Sequence, residues 1–307
     1  MTQSLQVLMK GLIDYAGLYP PASLDMPVAV RNYATYRSGP HAPWLGRFVV
    51  PVTRLDEFQT VAAGLAPTAG SPGEPWRVSA LMGKDWDQDI AAIGHFHALE
   101  SAEKAGKIRI DVVEAKADRG EDIAAAMAKL PAGITAYFEI PIQEDPARLL
   151  AALAVSGARA KVRTGGIQES QIPGAGYLAR FLAACAKAGV SFKATAGLHH
   201  PLRAAYPLTY EPESDTAAMH GFLNLFLAAA FARTGTSAGE IEEMLEETSS
   251  QAFVFDARGV GWRARRLDNF RLRETREHFA LSFGSCSFEE PVEDLRKLGL
   301  LGKEDRE

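Results

Sequence analysis

Two cysteines, Cys185 and Cys286, are all that the 307 residues hold, and they lie far apart in the chain. They offer no disulfide framework, so a reducing compartment, the cytoplasm, is the expected setting. Positive charge is not in excess: 33 lysines and arginines against 38 acidic residues leave a formal charge of −5. That balance gives no general electrostatic reason to expect nucleic acid or an anionic membrane as partner. The stretch "MTQSLQVLMKGLIDYAG" (1–17) lacks the basic start, apolar run and small-residue cleavage site of a signal peptide. Long hydrophobic runs are missing too. The most apolar helix-length segment, "GFLNLFLAAAFA" (221–232), is too short to span a bilayer and carries Asn224. It reads as a helix buried on most sides. Nor does a G-x-G-x-x-G follow an early strand, which argues against a dinucleotide-binding, doubly wound sheet.

What the chain does contain is ordinary for a globular protein, with 47% apolar and 23% charged residues. Its organisation shows as a rhythm. A short β-prone run breaks on glycine or proline, and a stretch rich in alanine and leucine follows. The runs are "LIDYAGLYP" (12–20), "LGRFVVPV" (45–52), "RVSALMG" (77–83), "IRIDVVEAK" (108–116), "ITAYFEIP" (134–141), "ARAKVRTGG" (158–166), "VSFKATAG" (190–197) and "FALSFGSCS" (279–287). Helices are predicted over 27–37, 54–64, 88–105, 121–129, 146–155, 177–188 and 217–233, where Leu, Ile and Phe recur at helical spacing. Eight strands alternating with helices predict a parallel sheet, and eight is the number that closes a (β/α)8 TIM barrel. The first strand is the weakest of the set. We read residues 1–307 as one such barrel domain, with a lid-like insertion at about 198–275 between the seventh and eighth strands. The insertion comprises a long loop punctuated by prolines, "LHHPLRAAYPLTYEPESD" (198–215), and a β-hairpin around the D-A-R-G turn of "QAFVFDARGVGWRARRLDNF" (251–270). The aromatic and arginine content of that hairpin suits a lid, and equally a contact in a homo-oligomer.

Two of the strands raise a question. Lys161 and Lys193 stand inside runs that otherwise read as buried, and Arg163 follows two residues after the first. Burying a lysine is costly unless something compensates it. Side chains alternate along a strand, so Lys161 shares a face with Arg163, and Lys193 with Thr195. In a barrel such groups collect at the C-terminal mouth, where several strands supply catalytic residues. Asp111 on the fourth strand, and Tyr137 and Glu139 on the fifth, are the expected neighbours. Glu114 should face away from Asp111 in a regular strand and ranks below it. A lysine attacks a carbonyl only as the neutral amine, which a second cation or a desolvating pocket favours. The Schiff base it forms is an electron sink for making or breaking a carbon–carbon bond. Asp111 would move protons, Arg163 would hold a substrate carboxylate or phosphate, and the backbone N–H groups of "FGSCS" (283–287) would hold an anion.

The ordered set "IDVVEA" (110–115), "YFEIP" (137–141), "KVRTGG" (161–166), "FKATAG" (192–197) and "FGSCS" (283–287) resembles deoxyribose-phosphate aldolase and related class I aldolases. That family has an aspartate on an early barrel strand and its Schiff-base lysine in a K-x-S-T-G-type stretch. A second lysine follows in a K-A-S-G-G-type stretch, and an FGAS-type turn holds phosphate. The resemblance implies Asp111 as proton-relay carboxylate, Lys161 as Schiff-base lysine, Lys193 as its pKa-lowering partner, and Gly284 and Ser285 at the phosphate. It implies no cofactor. Three features are foreign to the family: Arg163 where a small polar residue is usual, "LHHP" after the seventh strand, and the hairpin insertion.

His199 and His200 adjoin a strand end. Adjacent histidines in an extended segment point apart, so one at most faces the site, as acid, base or metal ligand. The H-F-H at 95–97 lies in a predicted helix and is discounted as a metal pair. Cys286 reads as a small packing residue, with no histidine near it in sequence. Asp14 or Tyr15 is either a pocket wall or part of a rigid turn. The leading expectation is a class I aldolase-like lyase for a small anionic carbonyl substrate. Its catalytic residues are Lys161, Lys193, Asp111, His199 and His200, with Arg163, Glu139, Tyr137, Thr195, Gly284 and Ser285 at the substrate. A second reading is a metal-dependent lyase, isomerase or hydrolase, with Asp111, Glu139 and His199 or His200 on a divalent ion. A third is a non-catalytic barrel that binds an anionic ligand, and it gains weight if Lys161 is locked in an ion pair.

Overall fold

The computed structural model describes residues 1–68, 73–102 and 107–301. The strands, in chain order, are β1 (Ile13–Tyr15), β2 (Leu45–Pro51), β3 (Trp76–Leu81), β4 (Ile108–Lys116), β5 (Thr135–Glu139), β6 (Arg159–Arg163), β7 (Phe192–Thr195), β8 (Ala204–Pro207), β9 (Thr216–Met219), β10 (Phe253–Phe255), β11 (Gly259–Trp262), β12 (Arg265–Asp268) and β13 (Ala280–Ser285). Strands β1 to β7 and β13 pair in parallel and close into an eight-stranded barrel, in the order β1-β13-β7-β6-β5-β4-β3-β2. All eight β-prone runs therefore form barrel strands, and a helix follows each. This is a (β/α)8 barrel.

The strands hold their places because one face of each is apolar and meets the helix layer. Phe48 of β2 stacks on Phe58 at 5.0 Å between ring centroids, Phe138 of β5 on Trp86 at 5.9 Å, and Phe283 of β13 on Phe222 at 5.3 Å. Each such ring buries a large apolar area and adds specific packing geometry. The helix over Trp86–Ala102 matches the expected 88–105 segment as far as it goes; residues 103–105 lie outside the described residues. The seventh helix starts at Phe222, not 217, because Thr216–Met219 is β9, paired antiparallel with β8. That helix is buried on every side from Phe222 to Phe231. Asn224 is tolerated within it because its amide donates to the Met244 and Glu247 carbonyls at 2.8 and 2.7 Å, and its Oδ1 accepts from the Arg203 amide at 3.0 Å.

The insertion between β7 and β13 divides into two parts at opposite ends of the barrel. The β8–β9 hairpin belongs to the C-terminal mouth, where Tyr210 in its loop bonds to Glu290 after β13. The 251–270 segment is a three-stranded antiparallel sheet, β10-β11-β12. Its D-A-R-G turn closes on Asp256, whose Oδ1 accepts from the amides of Arg258 at 2.8 Å and Gly259 at 3.0 Å. This sheet packs on the Gln3–Met9 and Asn269–His278 helices, which lead directly into β1 and β13. It thus covers the N-terminal end of the barrel, away from the mouth. Buried Arg276 fastens the same end, donating to the carbonyls of Leu8 at 2.7 Å and Lys10 at 3.2 Å. Of the expected insertion, only the shorter hairpin therefore lies at the mouth. Among the described residues no helix is long and apolar enough to cross a membrane.

Candidate active site

The barrel interior is charged where branched apolar layers are usual. Lys193 of β7 is 1% exposed and bonds through Nζ to Asp14 Oδ2 of β1 and Glu114 Oε1 of β4, both at 2.6 Å. Lys161 of β6 bonds to the other oxygen of Glu114 at 2.9 Å and to Glu139 Oε2 at 3.1 Å. Arg163 reaches Glu139 Oε1 through Nε at 3.0 Å. Glu114 thus bridges the two lysines. Neutral donors complete the network: Ser79 Oγ to Glu114 Oε1, Ser282 Oγ to Asp14 Oδ2 and the Arg47 amide to Asp14 Oδ1, each at 2.7 Å. Three cations balance three carboxylates, so the buried charges compensate one another.

The electrostatics follow from that pairing. Burial alone would raise the Glu114 carboxyl, but the Lys161 and Lys193 charges overcome it and hold the group far below the usual range. Glu139 is likewise lowered: burial opposes its charge, and Lys161 and Arg163 outweigh it. Burial also opposes the charge on Lys193, yet Asp14 and Glu114 prevail and raise its pKa. Carboxylates with depressed folded-state pKa values stabilise the fold above their unfolded value, and that contribution is lost as pH falls through the folded one. A raised lysine contributes below its unfolded value and loses that contribution only as pH rises through its folded value. The network should therefore stabilise the protein evenly through neutral pH. Melting temperature should start to fall as pH drops below about 4.3, the unfolded glutamate value. Thermal melts from neutral to acid pH check this, and an unchanged melting temperature down to about pH 2 would contradict it.

Asp111 does not join the cluster. It accepts from Arg47 Nε at 2.6 Å and from Arg77 Nη2 at 2.6 Å, nearer the N-terminal end of the barrel. Glu114 takes the place expected of it, and a bulge is the reason. Register between β3 and β4 runs Val78 with Ile110, then Ser79 with Val112, leaving Asp111 as the extra residue. The bulge breaks strict alternation, so Asp111 and Glu114, three apart, both turn to the interior at different depths. Asp111→Asn should lower stability by about 1–3 kcal/mol and leave any activity of the cavity intact. Glu114→Gln, which alters a residue on the cavity wall, should impair that activity. Parallel activity and unfolding measurements on the two variants separate them.

Lys161, Lys193, Glu114 and Arg163 line a cavity of about 330 Å³ at the mouth, with Thr195, Gly284, His199 and Cys286. A volume of that size suits a small ligand. A wider cleft adjoins it, sharing Leu81, Glu114, Lys161 and Arg163. Tyr19 also lines the small cavity, and its hydroxyl is buried with no hydrogen-bond partner among the described residues. An unsatisfied buried hydroxyl on a cavity wall is a ready donor for a ligand. Gly165 and Gly197 let the loops after β6 and β7 touch: a Cβ on Gly165 would lie 2.9 Å from the Gly197 Cα, and Gly197 has φ +73°. That contact explains why both lysine strands break on glycine.

The remaining expected residues are distributed as follows. Tyr137 lies beneath the cluster, its ring centroid 5.7 Å from Lys193 Nζ and its hydroxyl 3.1 Å from Arg159 Nη1. The two histidines do diverge. His199 lines the cavity, whereas His200 bonds to Asp294 at 2.6 Å and stacks on Tyr206 at 3.6 Å. Ser285 is buried and turns to His199, 3.4 Å away. Asp111, Glu139 and the histidines are not gathered as a metal-binding set. Among the described residues, the one group with three ligand atoms close together is Glu274, Glu277 and His278, remote from the mouth on the Asn269–His278 helix. Sequence reasoning left Asp14 undecided, although a carboxylate inside the apolar run "LIDYAG" (12–17) carries the same signal as the lysines.

Fold and site together define a (β/α)8 barrel with a charged, cavity-lined mouth, the usual place of catalysis in this architecture. Neither the scan against protein-family models nor the search among curated proteins gives a match for this chain.

Proposed function

We propose that this chain is a lyase that acts on a small anionic carbonyl compound through a Schiff base on Lys161. The observation that carries this reading is the placement of Lys161 Nζ on the cavity wall between two carboxylates, one of which also holds a fully buried second lysine. Lys161 must first lose a proton, and Glu114 and Glu139 are both within reach of it. When substrate displaces water from the cavity, desolvation favours the neutral amine–acid pair over two separated charges. The amine then adds to the carbonyl carbon, and the carbinolamine loses water to give an iminium. Cleavage of the neighbouring carbon–carbon bond sends its electron pair into the iminium to give an enamine. In the same step a carboxylate takes the proton of the β-hydroxyl, whose carbon becomes the carbonyl of the departing fragment. Protonation of the enamine and hydrolysis of the imine then free Lys161. Arg163 is bonded to Glu139 through Nε alone, which leaves its Nη groups for a substrate carboxylate or phosphate. Tyr19 supplies a further donor. The resemblance to class I aldolases agrees with this assignment, except that Glu114 replaces Asp111 beside the lysines.

The same ion pairs favour a second reading, in which Lys161 stays an ammonium group and the cavity only binds anions. Inactivation by borohydride separates the two. The Schiff-base reading expects loss of activity only when a carbonyl compound and borohydride are present together, and unchanged turnover after chelation of metals. Stabilisation by phosphate or carboxylate anions, with no turnover and no such inactivation, would establish the anion-binding reading.

A further inference from the structure

The cavity holds a thiol that imine chemistry does not use. Cys286 follows β13, is 5% exposed and lines the cavity with Lys161. Its Sγ lies 3.9 Å from Nδ1 of His199, itself 8% exposed and 3.4 Å from Glu290 Oε2. Tyr210 donates to the same Glu290 oxygen at 2.7 Å and stands 3.6 Å from the sulfur. Four separate segments thus converge: the loop after β7, the β8–β9 hairpin, the end of β13 and the Glu289–Lys297 helix. Tyr15 of β1 adds a further titratable group near the sulfur, and Lys161 and Lys193 supply the cations of the shared cavity. Cys185 provides the contrast, since it is enclosed in a helix without a charged partner and burial pushes its thiol well up.

We propose that Cys286 is a second nucleophile of this cavity, with His199 as its proton acceptor, and that it takes small α,β-unsaturated carbonyl compounds. The thiol proton moves from Sγ to His199 Nδ1, and Glu290 stabilises the resulting imidazolium. The sulfur lone pair forms a C–S bond at the β-carbon, and the π-pair of the double bond shifts toward the carbonyl. The proton returns to the α-carbon, so the thiol adds across the double bond with no oxidant or reductant. The Nη groups of Arg163, left unused by its bond to Glu139 through Nε, are the wall's donors for the developing enolate. Burial opposes charge on His199, but its contacts with Cys286 and Glu290 outweigh burial and push it up to about 9. The geometry thus sets a basic imidazole against the thiol, the arrangement that lets sulfur pass its proton to nitrogen. This addition does not depend on imine formation, because a free conjugated carbonyl accepts a thiolate directly.

The test is alkylation of the intact wild-type chain by methyl vinyl ketone, with the modified cysteine mapped by mass spectrometry. An ordinary thiol is only a few per cent ionised at pH 7. Transfer of the thiol proton to His199 gives an expected gain of about tenfold over a free thiol at that pH. The adduct should fall on Cys286 and spare Cys185. His199→Gln and Glu290→Gln should each lower the alkylation rate at pH 7 to that of a free thiol. A wild-type rate no faster than that of a free thiol, or absence of an adduct at Cys286, would overturn the proposal whatever the variants do. Loss of the Lys161 imine with retention of this adduct would refute the Schiff-base reading alone.

Discussion

Lys161→Ala is expected to abolish inactivation by borohydride and to lower kcat/KM by about 10³-fold or more, because Lys193, the other lysine on the cavity, is held by Asp14 and Glu114. The fold should survive. Each carboxylate around Lys161 keeps a cation: Glu114 retains Lys193 and Glu139 retains Arg163. Loss of activity with an almost unchanged unfolding transition would therefore report chemistry and not collapse of the barrel. Steady-state kinetics and a denaturant titration on the same preparation provide the check. Retention of more than about a tenth of wild-type kcat/KM would exclude Lys161 as the nucleophile.

Lys193→Met should have the opposite signature, with stability as the main casualty. Among the described residues Lys193 is the one cation bonded to Asp14, and both are 1% exposed. Its removal leaves Asp14 with the hydroxyl of Ser282 and the amide of Arg47, but with no cation bonded to it among the described residues. An uncompensated buried charge costs about 3–5 kcal/mol. A loss of that size should lower the melting temperature by roughly 5–15 °C in a chain of this length. The double variant Lys193→Met with Asp14→Asn should recover part of it, since the stranded charge goes as well. Non-additivity of this kind is the mark of groups that share one network. A single variant as stable as wild type would contradict the pairing.

The two variants differ because the lysines differ in surroundings, and that difference was only half legible in the sequence. Their presence on neighbouring strands could be read from apolar runs interrupted by a single cation, and the period of two gave Lys161 and Arg163 a common face. Pairing in parallel brings Lys161 level with Lys193, as that reading requires. The eight-strand count rested on the same local patterns and gave the barrel. What failed was what alternation cannot encode. The bulge at Asp111 depends on how β4 pairs with β3, so no feature of "IRIDVVEAK" (108–116) by itself promotes Glu114 over Asp111. The His199–Cys286 contact joins residues 87 positions apart and arises only on closure of β7 against β13. The 251–270 sheet was legible as antiparallel strands, but its docking at the N-terminal end depends on helices that precede β1 and β13.

The central claim is that Lys161, and not Lys193, becomes covalently joined to substrate. It is tested most directly by reducing the protein with borohydride in the presence of small aldehydes and keto acids, then mapping the adduct by peptide mass spectrometry. The structure leads us to expect a single reduced adduct on Lys161, absent from Lys161→Ala. An adduct on Lys193, or none at any lysine, would contradict the assignment.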